Sequence, residues 1–162
     1  EIFRGVNVMR CFEKVSLEEF KKYYDMELYD FNLPSRSTGK SAGYDFYAVD
    51  DCTIKRGESK KIISGVKANM ENNDVLYLFI RSSLAIKYNL ILKNSVGVID
   101  ADYYNNCDNE GNIIFVIENI GDSDFEIKKG MRLCQGVFMN YLLTDDDKSN
   151  SSRNGGIGRS LL

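Results

Sequence analysis

Five short runs of β-branched and aromatic residues, separated by turn-forming residues, constrain the fold of this chain more than any other feature of its sequence. Val75-Leu-Tyr-Leu-Phe-Ile80 is typical of them. Such runs favour strands because branched and ring side chains pack well on a pleated surface, and their spacing is that of antiparallel sandwiches. We therefore predict an all-β domain whose main strands are Tyr44–Val49, Lys61–Lys67, Val75–Ile80, Ile113–Glu118 and Arg132–Phe138.

One further stretch, Asn94 to Tyr103, joins a strand pattern to acidic residues. Its first half, as far as Ile99, is predicted to be a strand, and Asp100 and Asp102 follow where that strand would end. Carboxylates fixed at the end of a strand are well placed to orient a water molecule, and the neighbouring aromatic ring could pack on a sugar or a base. The alternative is a hairpin in which the two aspartates only cap the turn.

Helical patterns are few and short. Ser16-Leu-Glu-Glu19 is a capping-box pattern that predicts one helix near the N-terminus, and residues 82–88 are predicted to form a second. The stretch 144–162 is polar and Gly-rich, so we expect a flexible C-terminal tail after a single domain at residues 9–143. Residues 1–8 precede Met9 and are predicted to be upstream or non-native sequence.

Composition limits the partners and the chemistry. With a net charge of −3 and no apolar run near the roughly 20 residues of a membrane span, the sequence predicts no nucleic-acid partner, no membrane partner and a cytoplasmic location. The four cysteines form no Cys-x-x-Cys pair, which argues against a zinc site or a disulfide framework. The chain has no histidine, so acid–base chemistry must use carboxylates, and these suit magnesium better than a transition metal.

Five segments, in order along the chain, match the motifs of one family. They are Leu33-Pro-Ser-Arg-Ser-Thr-Gly-Lys-Ser-Ala-Gly-Tyr-Asp45, Arg81-Ser-Ser-Leu-Ala85, Gly97-Val-Ile-Asp-Ala-Asp-Tyr103, Gly130-Met-Arg-Leu-Cys-Gln135 and Arg153-Asn-Gly-Gly-Ile-Gly158. From Leu33 to Ser160 the chain resembles the homotrimeric dUTP diphosphatases, or dUTPases. The resemblance implies a distorted jelly-roll subunit of the β-clip type, assembled as a homotrimer with active sites between subunits. It also implies hydrolysis of dUTP to dUMP and pyrophosphate with Mg²⁺.

The resemblance assigns roles to single residues. It makes Asp100 the general base that activates water for attack on the α-phosphorus, and it places Asp45 at the magnesium ion through a water molecule. It implies triphosphate contacts for Arg81, Ser82, Ser83 and Gln135.

The same residues also have simpler interpretations. A cation with two hydroxyls at a helix start can be an oxyanion site or an N-capped helix beside a solvated arginine. Gln135 can be a core glutamine with satisfied hydrogen bonds, and Asp45 an acid that faces solvent.

Further implied contacts involve the base, the sugar and a C-terminal arm. Tyr103 would stack on the deoxyribose and exclude a 2′-hydroxyl, while strand backbone near Gly97, with Asn94 close by, would read the uracil. The arm, which in the family folds over the nucleotide from a neighbouring subunit, is represented by Arg153, Gly155, Gly156 and Ile157. Its glycines expose backbone amides that can approach phosphates, although a tail of this composition often has no role.

Departures from the family pattern keep two other functions open. Relatives usually have an aromatic residue in place of Ile157, and the loop at residues 104–111 is longer than theirs. One alternative is a dCTP deaminase, which shares the fold and a similar Arg-Ser-Ser-Leu-Ala stretch; the Gly-Gly-Ile-Gly arm and the Asp100-x-Asp102-Tyr103 pattern favour dUTPase instead. The other is a weakly catalytic protein of this fold that acts by binding a regulatory protein.

Overall fold

The computed structural model describes residues 9–157, so the predictions for residues 1–8 and for the end of the arm from Gly158 lie outside the described residues. Within this range the chain is built from short strands, which confirms the all-β prediction. The strands are β1 Cys11–Lys14, β2 Tyr44–Tyr47, β3 Cys52–Ile54, β4 Ser59–Ile63, β5 Val66–Asn69, β6 Asp74–Ile80, β7 Leu90–Leu92, β8 Gly97–Asp100, β9 Ile114–Asn119, β10 Phe125–Ile127 and β11 Arg132–Asn140.

Two short α-helices lie where the sequence predicts them: α1 Leu17–Phe20 and α2 Ser82–Tyr88. At the start of α1 the Ser16 hydroxyl accepts a hydrogen bond from the Glu19 N–H at 3.1 Å, as the capping box predicts. In a complete capping box the Glu19 side chain would accept a hydrogen bond from the Ser16 N–H. Here the Glu110 carboxylate accepts that hydrogen bond, at 2.9 Å. Two 3₁₀ turns, Met26–Asp30 and Ala101–Tyr103, complete the helical structure of the described range.

The strands pair antiparallel in four sheets, with the orders β1–β5, β3–β10, β2–β11–β6–β8 and β4–β9–β7. The rings of Phe46 on β2 and Phe115 on β9 meet edge to face at 6.4 Å between centroids, which packs one large sheet against the other. Leu76 and Leu78 of β6 and Ile117 of β9 are at most 1% exposed in the core between them. Each side chain buried in this way contributes about 1.5–3 kcal/mol.

The predicted strands differ from the observed ones at two turns. The predicted run Lys61–Lys67 breaks into β4 and β5 at Gly65. Glycine is required there for two reasons: its φ is +70°, and an added Cβ atom would lie 2.8 Å from the Phe31 ring. The prediction that a strand begins at Asn94 is wrong, because Ser95 has a φ of +66° and β8 begins at Gly97. The strand therefore delivers Asp100 as its last residue.

The C-terminal segment is irregular as far as it is described, since residues 144–157 contain neither helix nor strand. The described part of the chain also contains no helix long and apolar enough to cross a bilayer.

Candidate functional site

Six of the predicted site residues line one cavity of about 240 Å³ beside β8. This Asp100 cluster consists of Asn94, Gly97, Asp100, Tyr103, Arg153 and Ile157. The remaining wall is apolar and consists of Leu78, Val98, Ile99, Ile114 and Phe115. An apolar wall with a few convergent polar groups is the usual composition of a small-molecule site.

Glycine at position 97 shapes one wall of the cavity. β8 pairs with β6 so that Gly97 lies opposite Leu78, and a Cβ atom at Gly97 would lie 3.0 Å from the Leu78 Cβ. Without a side chain, Gly97 presents its backbone to the cavity. Backbone donors and acceptors of a strand can read the edge of a planar base, which agrees with the role that the resemblance implies.

The Tyr103 ring is fixed in place at the foot of the cavity. Its hydroxyl donates to the Asn112 carbonyl at 2.8 Å and accepts from the Asn109 side-chain amide at 2.8 Å, and the residue is 6% exposed. Burial raises the pKa of the Tyr103 hydroxyl, so the phenol stays neutral. A ring held at its far end offers a rigid surface to a ligand.

Arg153 of the arm lies directly on the two aspartates of this cluster. Its Nε donates to an Asp102 carboxylate oxygen at 2.8 Å, and a terminal nitrogen donates to Asp100 at 2.7 Å. The hydrogen bond to Asp102 is the main cause that raises the pKa of the Arg153 guanidinium. The arm thus packs on its own chain here, whereas the resemblance implies an arm that reaches a neighbouring subunit.

A second group, the Asp45 cluster, consists of Asp45, Arg81, Ser82, Ser83 and Gln135. Asp45 is 6% exposed on β2, which rules out the interpretation that it faces solvent. Ser37 donates to one of its oxygens at 2.9 Å, Arg81 lies 3.3 Å from the other, and Arg132 lies 3.6 Å away. A buried carboxylate between two arginines holds both guanidinium groups at one place.

Arg81 joins β6 to α2 and presents the first turn of that helix. Its carbonyl accepts from the N–H groups of Leu84 and Ala85, so Ser82 and Ser83 are the first two helical residues. The Arg81 side chain is 32% exposed, which leaves part of the guanidinium accessible while Asp45 holds it. Cation, hydroxyls and a helix start are therefore adjacent, as an oxyanion site requires.

Gln135 belongs to the same group through strand register. On β11 it pairs with Asp45 of β2 on one side and Phe79 of β6 on the other, and it is half-buried. A Cβ atom at Gly43 would lie only 2.3 Å from the Gln135 side-chain oxygen. Glycine at position 43 thus permits the close backbone approach that the Ala42-Gly43-Tyr44-Asp45 pattern predicts.

The two carboxylates after which the clusters are named lie on the opposite edge strands of the four-stranded sheet. Asp45 is on β2 and Asp100 on β8, three strand spacings or about 14 Å apart. The two residues also differ in their position along the strands. Asp45 pairs with Gln135, which pairs with Phe79 of β6, whereas Asp100 pairs with Val75 of β6, four residues away from Phe79. Four residues of strand add about 13 Å, so the two carboxylates are separated by about 20 Å.

Sequence reasoning missed three residues that contact the predicted ones. Arg132 and Ser37 hold Asp45, and Asp108 accepts a hydrogen bond from the Gly156 N–H at 2.9 Å. The first two lie inside matched motifs, which was an available signal. Asp108 had none, because its partner is 48 residues away.

The donor groups suit a metal ion that arrives with its ligand. Among the described residues, no three His, Cys, Asp or Glu side chains converge to cage an ion. A carboxylate has about four acceptor sites; Ser37 donates to one oxygen of Asp45, and Arg81 and Arg132 lie 3.3 and 3.6 Å from its oxygens as ion pairs. Magnesium characteristically keeps several waters and takes one or two carboxylates plus substrate phosphates, which such a site fits.

Another cleft, of about 290 Å³, lies between the segment after α1 and the strands β3 and β4, where Tyr24, Asp50, Cys52 and Lys60 line it. Its lining includes none of the predicted site residues.

Comparison with known proteins identifies relatives of this chain. The dUTPase family model matches residues 29–161. The deoxyuridine 5′-triphosphate nucleotidohydrolase of Lactococcus lactis subsp. lactis is 48% identical over 129 residues, which are 78% of this chain and 86% of that protein. The corresponding protein of Rickettsia felis is 35% identical over 122 residues, 74% of this chain and 78% of its own length.

Solved structures agree with these sequence matches. The crystal structure of dUTPase from Streptococcus mutans superposes with a TM-score of 0.70 at 44% identity, covering 83% of this chain and 98% of that one. A variant of the dUTPase from phage phi11 of S. aureus, whose structure shows the coordination of a structural Mg(II) ion, has a TM-score of 0.67 at 18% identity. It covers 88% of this chain and 97% of its own and shows the shared fold alone. These neighbours confirm the jelly-roll-like fold that the sequence predicts.

Proposed function

The chain belongs to the dUTPase family, and from that premise we propose that it hydrolyses dUTP to dUMP and pyrophosphate at a site built from both clusters. One observation carries this proposal. The residues to which the resemblance assigns the base, the sugar and the attacking water lie in the stretch 94–103, and they line one cavity together with Arg153 and Ile157 of the distant C-terminal arm. Convergence of that kind is what a nucleotide site needs and what a strand-capping role for the aspartates does not require.

Asp100 takes the role of general base. Its carboxylate is about half exposed at the end of β8 and borders the cavity, so a water molecule can lie between it and a bound phosphate. The carboxylate accepts a proton from this water as the oxygen attacks the α-phosphorus, and pyrophosphate leaves on the opposite side. Asp102 keeps Arg153 beside the same point, where a cation favours the pentavalent, highly charged transition state.

The Asp45 cluster takes the triphosphate. Arg81 and the hydroxyls of Ser82 and Ser83 supply charge and hydrogen bonds at the first turn of α2, and the Gln135 amide adds a neutral donor. Asp45 aligns the Arg81 guanidinium, because a carboxylate that accepts from one edge of an arginine fixes the direction of the other. Positioning and charge neutralisation are most of what phosphoryl transfer needs from a protein.

Magnesium fits this site as part of the nucleotide complex. Asp45 would hold the ion through a water molecule, since a carboxylate whose oxygens already face Ser37 and two arginines suits an indirect contact. When bound, Mg²⁺ neutralises charge on the triphosphate and assists the departure of pyrophosphate.

Base and sugar are selected by fit. The backbone at Gly97 and the nearby Asn94 read the uracil edge. The inverted donor pattern of cytosine would leave polar groups unpaired, and a thymine methyl group would be excluded by fit. The fixed ring of Tyr103 leaves no space for a 2′-hydroxyl. Ile157 covers the cavity as an apolar side chain where relatives have an aromatic ring, so it contributes area without ring stacking.

The separation of the clusters supports a homotrimer with sites between subunits. The β- and γ-phosphates of a nucleotide are bonded in line after the α-phosphate that the water attacks. The groups that bind the triphosphate must therefore lie beside the water that Asp100 activates. About 20 Å lies between Asp100 and Asp45 within one chain. Two copies can bring the clusters together if one supplies the Asp100 cluster and the other the Asp45 cluster. A closed cyclic assembly repeats this interface so that every cluster has a partner cluster.

A cytoplasmic location agrees with the state of the cysteines. Cys11, Cys52, Cys107 and Cys134 are all thiols, as proteins of reducing compartments keep them. We propose that the enzyme acts there on the deoxynucleotide pool.

A product assay tests the proposed reaction. The purified chain is incubated with Mg²⁺ and, separately, dUTP, dCTP, dTTP and UTP, and nucleotide products, pyrophosphate and ammonia are measured. We expect dUMP and pyrophosphate from dUTP, with turnover of the other three nucleotides lower by about 10²-fold or more. Cytosine leaves polar groups unpaired, the thymine methyl group does not fit, and the 2′-hydroxyl of UTP collides with Tyr103. Ammonia from dCTP would identify a deaminase, and no turnover at all would leave a protein that acts by binding a partner.

A further inference from the structure

The loop at residues 104–111 is a rigid element with its own hydrogen-bond network. The Asn106 side-chain oxygen accepts from the N–H groups of Asp108 and Asn109, and its amide donates to the Tyr103 carbonyl at 2.8 Å. The Asn109 side chain in turn donates to the Tyr103 hydroxyl and accepts from the Gly111 N–H. Asparagine side chains that bond nearby backbone in this way hold turns in one shape.

Contacts with distant segments fix the loop to the body of the domain. Glu110 accepts from the Ser16 backbone N–H and pairs with Lys67 at 3.6 Å, while the Tyr104 hydroxyl donates to Glu13 at 2.9 Å. The loop therefore presents Cys107 and Asp108 from a fixed base.

These two residues contact the C-terminal arm. The Asp108 carboxylate accepts from the Gly156 N–H at 2.9 Å, and the Cys107 thiol donates to the Asn154 carbonyl at 2.8 Å. A Cβ atom on Gly156 would lie 3.5 Å from the Asn109 side-chain oxygen, so the arm backbone lies close against the loop. A hydrogen bond to an ionised carboxylate is stronger than one between neutral groups, which makes the Asp108 contact the main one.

Through Gly156, Asp108 contacts the part of the arm that lies beside the site. Gly156 lies next to Ile157, which lines the cavity, and three residues after Arg153, which lies on Asp100 and Asp102. Residues 144–157 have neither helix nor strand of their own, so side-chain contacts hold the described end of the arm in place.

From these contacts we infer that Asp108 is a positioning residue of the reaction: its carboxylate anchors the arm at Gly156 and so places Arg153 and Ile157 at the cavity. This inference rests on the proposed dUTP hydrolysis and adds to it a role for the loop that is longer than in relatives. Asp108 is not one of the residues that line the cavity, and the role we assign to it acts through the arm.

Turnover in two backgrounds tests the inference. We expect Asp108→Ala to lower kcat/KM for dUTP roughly tenfold in the full chain, and Asp108→Asn, which keeps an oxygen acceptor, to recover most of the loss. In a chain that ends at residue 152, Asp108→Ala should change nothing further, because the group through which it acts is gone. Asp122→Ala, in the turn between β9 and β10, is the matched control and should leave turnover unchanged. Equal losses from Asp108→Ala with and without the arm would overturn the inference.

Fluorescence tests the anchor without any nucleotide. The chain contains no tryptophan, so an Ile157→Trp variant carries a single reporter at the arm. Adding Asp108→Ala should shift its emission towards that of solvent-exposed tryptophan, and adding Asp122→Ala should not. An emission unchanged by Asp108→Ala means that Asp108 does not hold the arm. This measurement separates the two proposals, since an anchored arm in a chain that fails to hydrolyse dUTP would overturn the reaction alone.

Discussion

Replacing Asp100 with asparagine is expected to lower the turnover of dUTP by about 10³-fold while leaving nucleotide affinity within a few-fold of the original. The carboxamide has the size of the carboxylate and still borders the cavity, but it cannot accept the proton of the attacking water. The binding contacts to the base, the sugar and the triphosphate come from other residues. The measurements are kcat from pyrophosphate release and the Kd of a dUTP analogue that carries an imido group between the α- and β-phosphates.

Asp102→Asn is the matched control for this prediction. Asp102 lies two residues away, is about as exposed and contacts the same arginine at 2.8 Å, yet it does not line the cavity. We expect its turnover to fall less than about tenfold, since only the placement of Arg153 is affected. If the two variants lose turnover equally, the carboxylates act as an arginine anchor and neither is the general base.

Deleting residues 153–162 is expected to lower turnover by about 10²-fold, because the site loses the cation beside Asp100 and the cover that Ile157 gives the cavity. The domain should remain folded. Its melting temperature should change by less than about 4 °C, the shift that about 1 kcal/mol produces in a domain of this size, since residues 153–157, the described part of the deleted segment, contribute no strand to a sheet.

A graded series separates charge from coverage in this experiment. Arg153→Lys keeps the positive charge and loses the geometry that lets one guanidinium contact both aspartates, so its turnover should lie between that of the full chain and that of the truncated one. A truncated chain that works at full speed, by initial rates at saturating dUTP, would show that the arm has no part in the reaction.

The sequence predicts the long strands well because their signal is local. β6, β9 and β11 have six or more residues each and contain long apolar runs, which are uncommon in turns. All three strands form where the sequence predicts them. β3, β7 and β10 have three residues each, too few for a period to be visible. The break at Gly65 has a tertiary cause, since the ring of Phe31 closes the space that a side chain would need.

The chemistry of the site was also readable in part. The motifs identify the residue types, and the structure brings those of the Asp100 cluster together. The partners of those residues were not readable, because they come from far along the chain: Arg153 meets Asp100 across 53 residues, and Ser37 meets Arg132 across 95. The first pairing depends on how the irregular C-terminal segment packs, and the second on the register of β11 against β2; neither leaves a local pattern in the sequence.

Subunit complementation tests the central claim, a dUTP site shared between subunits, most directly. Asp100→Asn and Arg81→Ala chains are prepared alone and co-expressed in equal amounts with different tags, and dUTP turnover of the mixed assembly is measured. In Arg81→Ala chains Asp45 keeps its contacts to Ser37 and Arg132, so the fold should persist.

If one subunit supplies Asp100 and its neighbour supplies Arg81, a site in the mixed assembly is intact only when both of its subunits carry the unchanged residue. With equal amounts of the two chains and random assembly, about one site in four meets this condition. The mixture should then recover about one quarter of the original activity, although each variant alone is nearly inactive. Activity no higher than that of the separate variants would show that Asp100 and Arg81 serve one site within a single chain and would contradict the account.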